Sequence, residues 1–213
     1  MQRRKRSDRV MRILRTIETF YPYVTGPTNQ AFRISQGLEK RGMRSPILTT
    51  YCDVDRRLPS REHFQEVEVA RYRNQLRLMR YCISLGMARG FNDCDLIHSH
   101  NYRNFQADLG LFFSRVKKRP FVLSTHGSLL GYKRYLKGTM AQLPYMLYDV
   151  ITFKATAFRA DCIVVSSRVE YDDAREFGVD EKKLRVIPAG IDRERYTGDG
   201  RDNGDRIELL FVG

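Results

Sequence analysis

No C-x-x-C pair occurs in this sequence, and its four cysteines, Cys52, Cys82, Cys94 and Cys162, fall at irregular spacings. That argues against a zinc ribbon and against a disulfide scaffold, and it makes reduced cytosolic thiols the default. No run approaches the ~20 apolar residues that a membrane-crossing helix needs. The start of the chain is basic, as a secretory leader would be. However, Arg12, Arg15 and Glu18 interrupt what would have to be the apolar segment of such a leader. A cytoplasmic protein is expected, with peripheral attachment at the inner face of the membrane left open. Neither G-x-G-x-x-G nor G-x-x-x-x-G-K-[ST] is present, which disfavours standard dinucleotide and P-loop sites. No Ser/Cys–His–Asp arrangement can be argued from the order of residues.

What is present is enough for a core. The chain has 213 residues, 42% of them apolar and 11% aromatic, which argues against wholesale disorder. Lys and Arg number 38 against 25 Asp and Glu, a net charge of +13. Such a balance suits an anionic partner: phosphate groups, a nucleotide, acidic lipid or nucleic acid. It does not choose among them, and a basic surface also serves solubility.

Residues 1–9 are basic with almost nothing to bury and read as a flexible tail. Order is expected from residue 10. Residues 10–17 (VMRILRTI) fit a short buried strand, followed by a loop rich in Pro, Gly, Thr and Asn. Ala31, Ile34 and Leu38 then recur at helical spacing until Gly42, and residues 45–51 (SPILTTY) form the next strand. The alternation goes on. Residues 67–72, 95–100, 120–126, 162–167 and 184–188 read as strands, and residues 74–89, 143–159 and 170–177 as helices. Phe105, Leu109, Phe112 and Val116 mark a further helix by an apolar stripe. Strands alternating with helices predict an α/β, Rossmann-like, mainly parallel sheet with helices on both faces. Residues 10–189 make this domain. Residues 190–205 read as a linker, and residues 206–213 as the first strand of a second domain that is missing.

Ligands of such sheets bind beyond the carboxyl ends of the strands, and polar residues gather there. Gly26 lies in the first loop, where a glycine lets backbone N–H groups approach a phosphate at a helix start, or simply serves the turn. His98 and His100 stand two apart at a strand end and share a face. A metal can use that spacing, but no third ligand follows, so no metal is assigned. His126, in STHGS, ends a strand beside Gly127. It either donates to a sugar hydroxyl or phosphate oxygen, or caps the next helix. Tyr132, Tyr135, Tyr145 and Tyr148 interleave with Lys133, Arg134 and Lys137, which suits a stacking or membrane surface as well as an ordinary exposed helix.

Taken in order, these segments resemble the N-terminal half of a GT-B glycosyltransferase, in particular the retaining family 4, also called glycosyltransferase group 1. The opening MRILRTIETFYPYVTGPTNQAFRISQGLEKRGMRSPILTT is similar to the family's strand, Gly-loop and helix. DLIHSH and PFVLSTHG are similar to two of its strands, and ADCIVVSSRVEYDDAREFGVDEKKLRVIPAGIDRERY to its A-D-x-(I/V)-(I/V)-x-S … V-I-P-N-G-I-D run. IELLFVG resembles the first strand of the donor domain. There are departures. Gly26-Pro27 stands where the family usually has Gly-Gly, and proline has no N–H to offer. Ala189 replaces the Asn of N-G-I-D, Met43 replaces the His of R-G-H, and no paired-Glu E-x7-E segment follows.

The resemblance implies transfer of a sugar from a nucleotide-sugar donor to a sugar or lipid-linked acceptor, with retention. This chain would be the acceptor-side half, inactive on its own. Gly26 would approach the donor diphosphate and His126 the donor sugar or phosphate, in a catalytic role. His100, Asn101, Gly127, Ser166, Ser167 and Arg168 would line the cleft or the acceptor side. No cofactor is implied, because the nucleotide-sugar is a substrate, and no metal. An anionic membrane surface is a further candidate partner; specific nucleic acid is not. Two alternatives remain: a non-catalytic truncated module binding anionic lipid or polyanion, and a GT-B-fold sugar-nucleotide epimerase.

Overall fold

The computed structural model describes residues 9–190. The expected tail, apart from Arg9, and the expected second-domain strand at 206–213 lie outside the described residues, as does the linker beyond Gly190. Ten strands and six helices follow in chain order among the described residues. They are β1 Ile13–Thr16, α1 Gly26–Glu39, β2 Ile47–Thr50, β3 Arg61–Phe64, β4 Val67–Tyr72, β5 Leu76–Leu78, β6 Tyr81–Ile83, β7 Leu96–His100, α2 Phe105–Lys117, β8 Phe121–Ser124, α3 Gly131–Tyr135, α4 Thr139–Ile151, α5 Ala155–Phe158, β9 Cys162–Val165, α6 Arg168–Glu176 and β10 Leu184–Val186. Eight strands form one sheet in the order β10-β9-β8-β7-β1-β2-β4-β3. Every pairing in it is parallel except β3 with β4. The Rossmann-like expectation holds.

Period-two alternation divides the sheet into two cores. Leu14, Leu48, Ile97, Leu123 and Ile163 point to the side covered by α2, α5 and α6. Ile17, Ile47, Val67 and Val69 point to the other side, where α1 supplies Ala31 and Phe32. Helix α1 is capped by Thr25 and its chain is turned at Gly42, whose φ of +77° suits glycine.

Three expectations are corrected. Residues 74–89 are not a helix. Leu76–Leu78 and Tyr81–Ile83 form a hairpin, followed by a 3-10 turn over Leu85–Gly90. The two triplets are too short for a helix, and Met79 turns the chain between them at φ +54°. The hairpin is held by Arg77 on Asp53 at 2.7 Å and by the Cys82 thiol against the Cys52 sulfur, also 2.7 Å. The helix expected at 143–159 begins instead at Thr139 and breaks at Phe153 and Lys154, both left-handed. The β-branched run Val150, Ile151, Thr152 is weak helix material at that break. Third, the apolar stripe of α2 is not its buried face: Phe112 and Val116 are exposed, and Gln106, Ala107, Gly110, Leu111 and Ser114 are buried. Small residues face the sheet because the helix lies close to it. A Cβ on Gly110 would come 2.5 Å from Ser99 Oγ.

Candidate active site

The C-terminal ends of β1, β7, β8 and β9 open onto one rim, as a parallel sheet requires. On one side stands the start of α1. Thr25 is extended, and its hydroxyl accepts from the Thr28 N–H at 3.2 Å, while its carbonyl takes the Asn29 N–H at 2.9 Å. Pro27 has no N–H. Among the described residues the Gly26 N–H has no backbone partner, and it sits on an exposed residue around which a Cβ would meet nothing within 4 Å. The helix dipole adds partial positive charge there.

On the other side stands His126. Past the end of β8, the Thr125 N–H is tied to the Val164 carbonyl at 3.1 Å. His126 then turns with φ +51° and Gly127 with φ +144°. A left-handed histidine at a strand end is a strained conformation held by its surroundings, of a kind found at functional sites. His126 borders a small crevice with Gln30, Ser124, Val164 and Ser166. Gln30 lies one helical turn beyond Gly26 on α1. Gly26 itself does not border this crevice; α1 reaches it through Gln30.

Behind His126 lies a buried polar cluster on the α1 side of the sheet. Arg15, in the middle of β1, is 1% exposed. Its Nε donates to Ser45 Oγ at 3.1 Å, and its Nη1 lies 2.7 Å from His98 Nδ1 and 3.2 Å from His100 Nε2. His98 Nε2 is 2.8 Å from Ser124 Oγ, and His100 Nδ1 is 2.7 Å from His126 Nε2. The three imidazoles stack, with centroids 4.6 and 5.0 Å apart. Burial lowers the Arg15 pKa to about 9 and that of His126 to about 4. His98 and His100 fall well below the usual range, through burial first and then through neighbouring positive charge.

Of the other expected cleft residues, some lie at the rim and some do not. His100 does not line the cleft: it is fully buried and reaches the rim only through His126. Asn101 is left-handed (φ +68°), and its Nδ2 lies 2.9 Å from both oxygens of Glu18. Gly127 is at the rim. Ser166 borders the crevice, but its N–H and Oγ both donate to Glu170, at 2.9 and 2.7 Å. Ser167 is the N-cap of α6 and accepts from the Glu170 N–H at 3.2 Å. Arg168 is exposed, with its guanidinium 4.5 Å from the Tyr171 ring. Sequence reasoning missed Arg15, Glu18 and Gln30. Glu18, 3% exposed, also receives Asn104 Nδ2 at 3.2 Å and Arg80 at 3.4 Å. The signal was present: charged residues within or just after a buried strand are rare unless paired.

The sequence profile of Glycosyltransferase Family 4 matches residues 24–195. The chain belongs to that family. It is 23% identical over 207 residues to the GDP-mannose:cellobiosyl-diphosphopolyprenol alpha-mannosyltransferase of Xanthomonas campestris, covering 94% of this chain and 52% of that protein. The protein of the same name from Xanthomonas oryzae pv. oryzae matches equally, at 23%. The chain spans about half the length of these relatives. Among solved structures, Anabaena HepE in complex with UDP and glucose superposes with a TM-score of 0.59 at 17% identity, over 87% of this chain and 46% of that one. A glycosyltransferase from Rickettsia africae superposes with a TM-score of 0.52 at 12% identity, over 88% and 45%. These likenesses are to the fold: the family 4 domain has the N-terminal GT-B architecture.

Proposed function

We propose that this chain is the acceptor-side half of a retaining glycosyltransferase that moves a sugar from a nucleotide-sugar to a lipid-linked saccharide. The observation that carries the reading is the crevice bordered by the strained His126 and by Gln30, one turn along α1 from the exposed Gly26. Breaking the anomeric bond places charge on the departing diphosphate, and oriented N–H groups stabilise such charge without reorganising. The donor and acceptor classes are supported by the relatives, whose names specify GDP-mannose and a diphosphopolyprenol glycan. The test is transfer of label from GDP-mannose or UDP-glucose to a polyprenol-diphosphate-linked oligosaccharide by the full reading frame. His126→Asn, which tolerates the left-handed backbone, should lower turnover at least about 100-fold with the fold retained by circular dichroism. Unchanged turnover would overturn the reading.

The same reading includes docking on an anionic membrane. Helix α4 turns Tyr148 and Asp149 inward, but it exposes Met140 at 82%, and Phe153 just beyond it is 83% exposed. Leu147, Val150 and Ile151 are exposed between them. Lys133 and Lys137, just before α4 in the chain, are exposed. An apolar helix face flanked by lysines, on a chain of net charge +13, suits acidic headgroups. No helix among the described residues is long and apolar enough to cross a membrane. Co-sedimentation with phosphatidylglycerol vesicles, lost in neutral vesicles and weakened by Val150→Glu, is the expected outcome. Equal binding to neutral vesicles would remove the acidic headgroups from this reading, and no binding to either would remove the membrane.

A further inference from the structure

We infer that Arg15 is a positioning residue that fixes the tautomer of His126, so that His126 meets its ligand as a neutral Nδ1–H donor. The argument follows the protons. A guanidinium has five N–H donors and no acceptor, so each of its hydrogen bonds has one possible direction. Arg15 Nη1 faces His98 Nδ1 and His100 Nε2, and both ring nitrogens must accept. A neutral imidazole that accepts at one nitrogen carries its proton on the other. His98 therefore donates from Nε2 to Ser124 Oγ, and His100 donates from Nδ1 to His126 Nε2. His126 accepts at Nε2 and is left with its proton on Nδ1. That nitrogen has no hydrogen-bond partner among the described residues, and the ring borders the crevice.

The relay is directional because its first member cannot reverse. Arg15 stays protonated at neutral pH even though burial has lowered its pKa to about 9. Among the described residues no carboxylate contacts it: its side-chain partners are Ser45, His98 and His100. A buried cation costs several kcal/mol unless it is well solvated by dipoles, and here two imidazoles and a hydroxyl do that. Neutral histidines are the form that this arrangement needs, and burial beside the cation keeps them neutral. His126 with its lone pair turned inward is a poor base toward the cleft. It suits an oxygen acceptor there, a sugar hydroxyl or a phosphoryl oxygen. This rests on the proposed role of His126, but the proton positions can be measured without substrate.

The experiment is long-range nitrogen–proton NMR of the 213-residue chain labelled with 15N-histidine, at pH 7 and without ligand. The expected wild-type spectrum assigns His126 a pyrrole-like Nδ1 and a pyridine-like Nε2, His100 the same, and His98 the reverse. An Nε2-protonated His126 overturns the inference, whatever the activity assay shows. Arg15→Met should release His126 into a mixture of tautomers, and Arg15→Lys, which keeps a charged donor, should restore the single form at least in part. His126 remaining wholly Nδ1-protonated in Arg15→Met would remove Arg15 from the role. Should Arg15→Met fail to fold, His100→Gln cuts the same chain one link later and should give the same mixture. A single Nδ1–H form there would overturn the relay.

Discussion

Asn101 points its side-chain amide at Glu18, with Nδ2 2.9 Å from each carboxylate oxygen. The pair ties the end of β7 to the segment leaving β1, directly at the rim. Glu18 is nearly sealed from water, so its oxygens need protein donors in place of solvent. Asn101 is also left-handed, which asparagine tolerates better than most residues. Asn101→Gly keeps that conformation and removes only the amide. It should destabilise the chain by about 1–3 kcal/mol, the cost of leaving a buried acceptor short of a donor. Asn101→Asp, which sets a second carboxylate against Glu18, should cost more. Urea unfolding midpoints of the two variants would check this; a smaller loss in Asn101→Asp would show that the two residues do not face each other.

Two glycines predict opposite answers to the same substitution. Gly110 on α2 lies against the sheet, and a Cβ there would meet Ser99 Oγ at 2.5 Å and Phe121 at 3.1 Å. Ser99 is itself held by Thr16 at 2.7 Å, so it cannot swing away freely. Gly110→Ala should therefore cost about 1–3 kcal/mol by overpacking. Gly26 opens α1 with nothing within 4 Å of a Cβ. Gly26→Ala should leave stability unchanged or raise it by up to about 1 kcal/mol through the unfolded chain. In the full reading frame it should nonetheless weaken donor binding, because the methyl group would stand where a diphosphate would approach. Thermal melts separate the pair, and a stability loss in Gly26→Ala would contradict the open geometry.

Much of this fold was legible because its signals are local. Short segments rich in Ile, Leu, Val and Phe mark β1, β7, β8 and β9, Gly42 and Gly178 mark helix ends, and the polar residues after each strand mark the rim. What failed was decided by distant contacts. Residues 76–83 look ambiguous alone and become a hairpin because Asp53, Cys52 and Gln106 receive it. The buried face of α2 follows from how near it approaches β7, which its own apolar stripe does not report. Strand β3 alternates between exposed and partly covered residues and has no apolar run to announce it. The histidine chain shows the same division. The spacing of His98 and His100 put them on one face, but the link to His126 and the cation behind them join β1, β7 and the end of β8, three segments far apart in sequence.

That cluster sets the response of the chain to acid. The folded protein holds His126 at about 4, against an ordinary value of 6.5, chiefly by burial, with Glu170 opposing the shift. His98 and His100, facing Arg15 and each other, are lowered too. A group whose folded pKa is depressed binds its proton more readily in the unfolded chain. Its stabilisation is thus complete above pH 6.5 and is lost as pH falls toward 4. For His126 alone the loss is about 3 kcal/mol, at 1.36 kcal/mol for each unit of pKa difference. Urea unfolding at pH 7, 6 and 5 should show stability falling with acid more steeply than one proton accounts for. His126→Asn, which fits the left-handed backbone, should flatten the slope by about one proton. Equal slopes in the two proteins would mean that His126 titrates normally in the folded state and that its ring is not held neutral by the stack behind it.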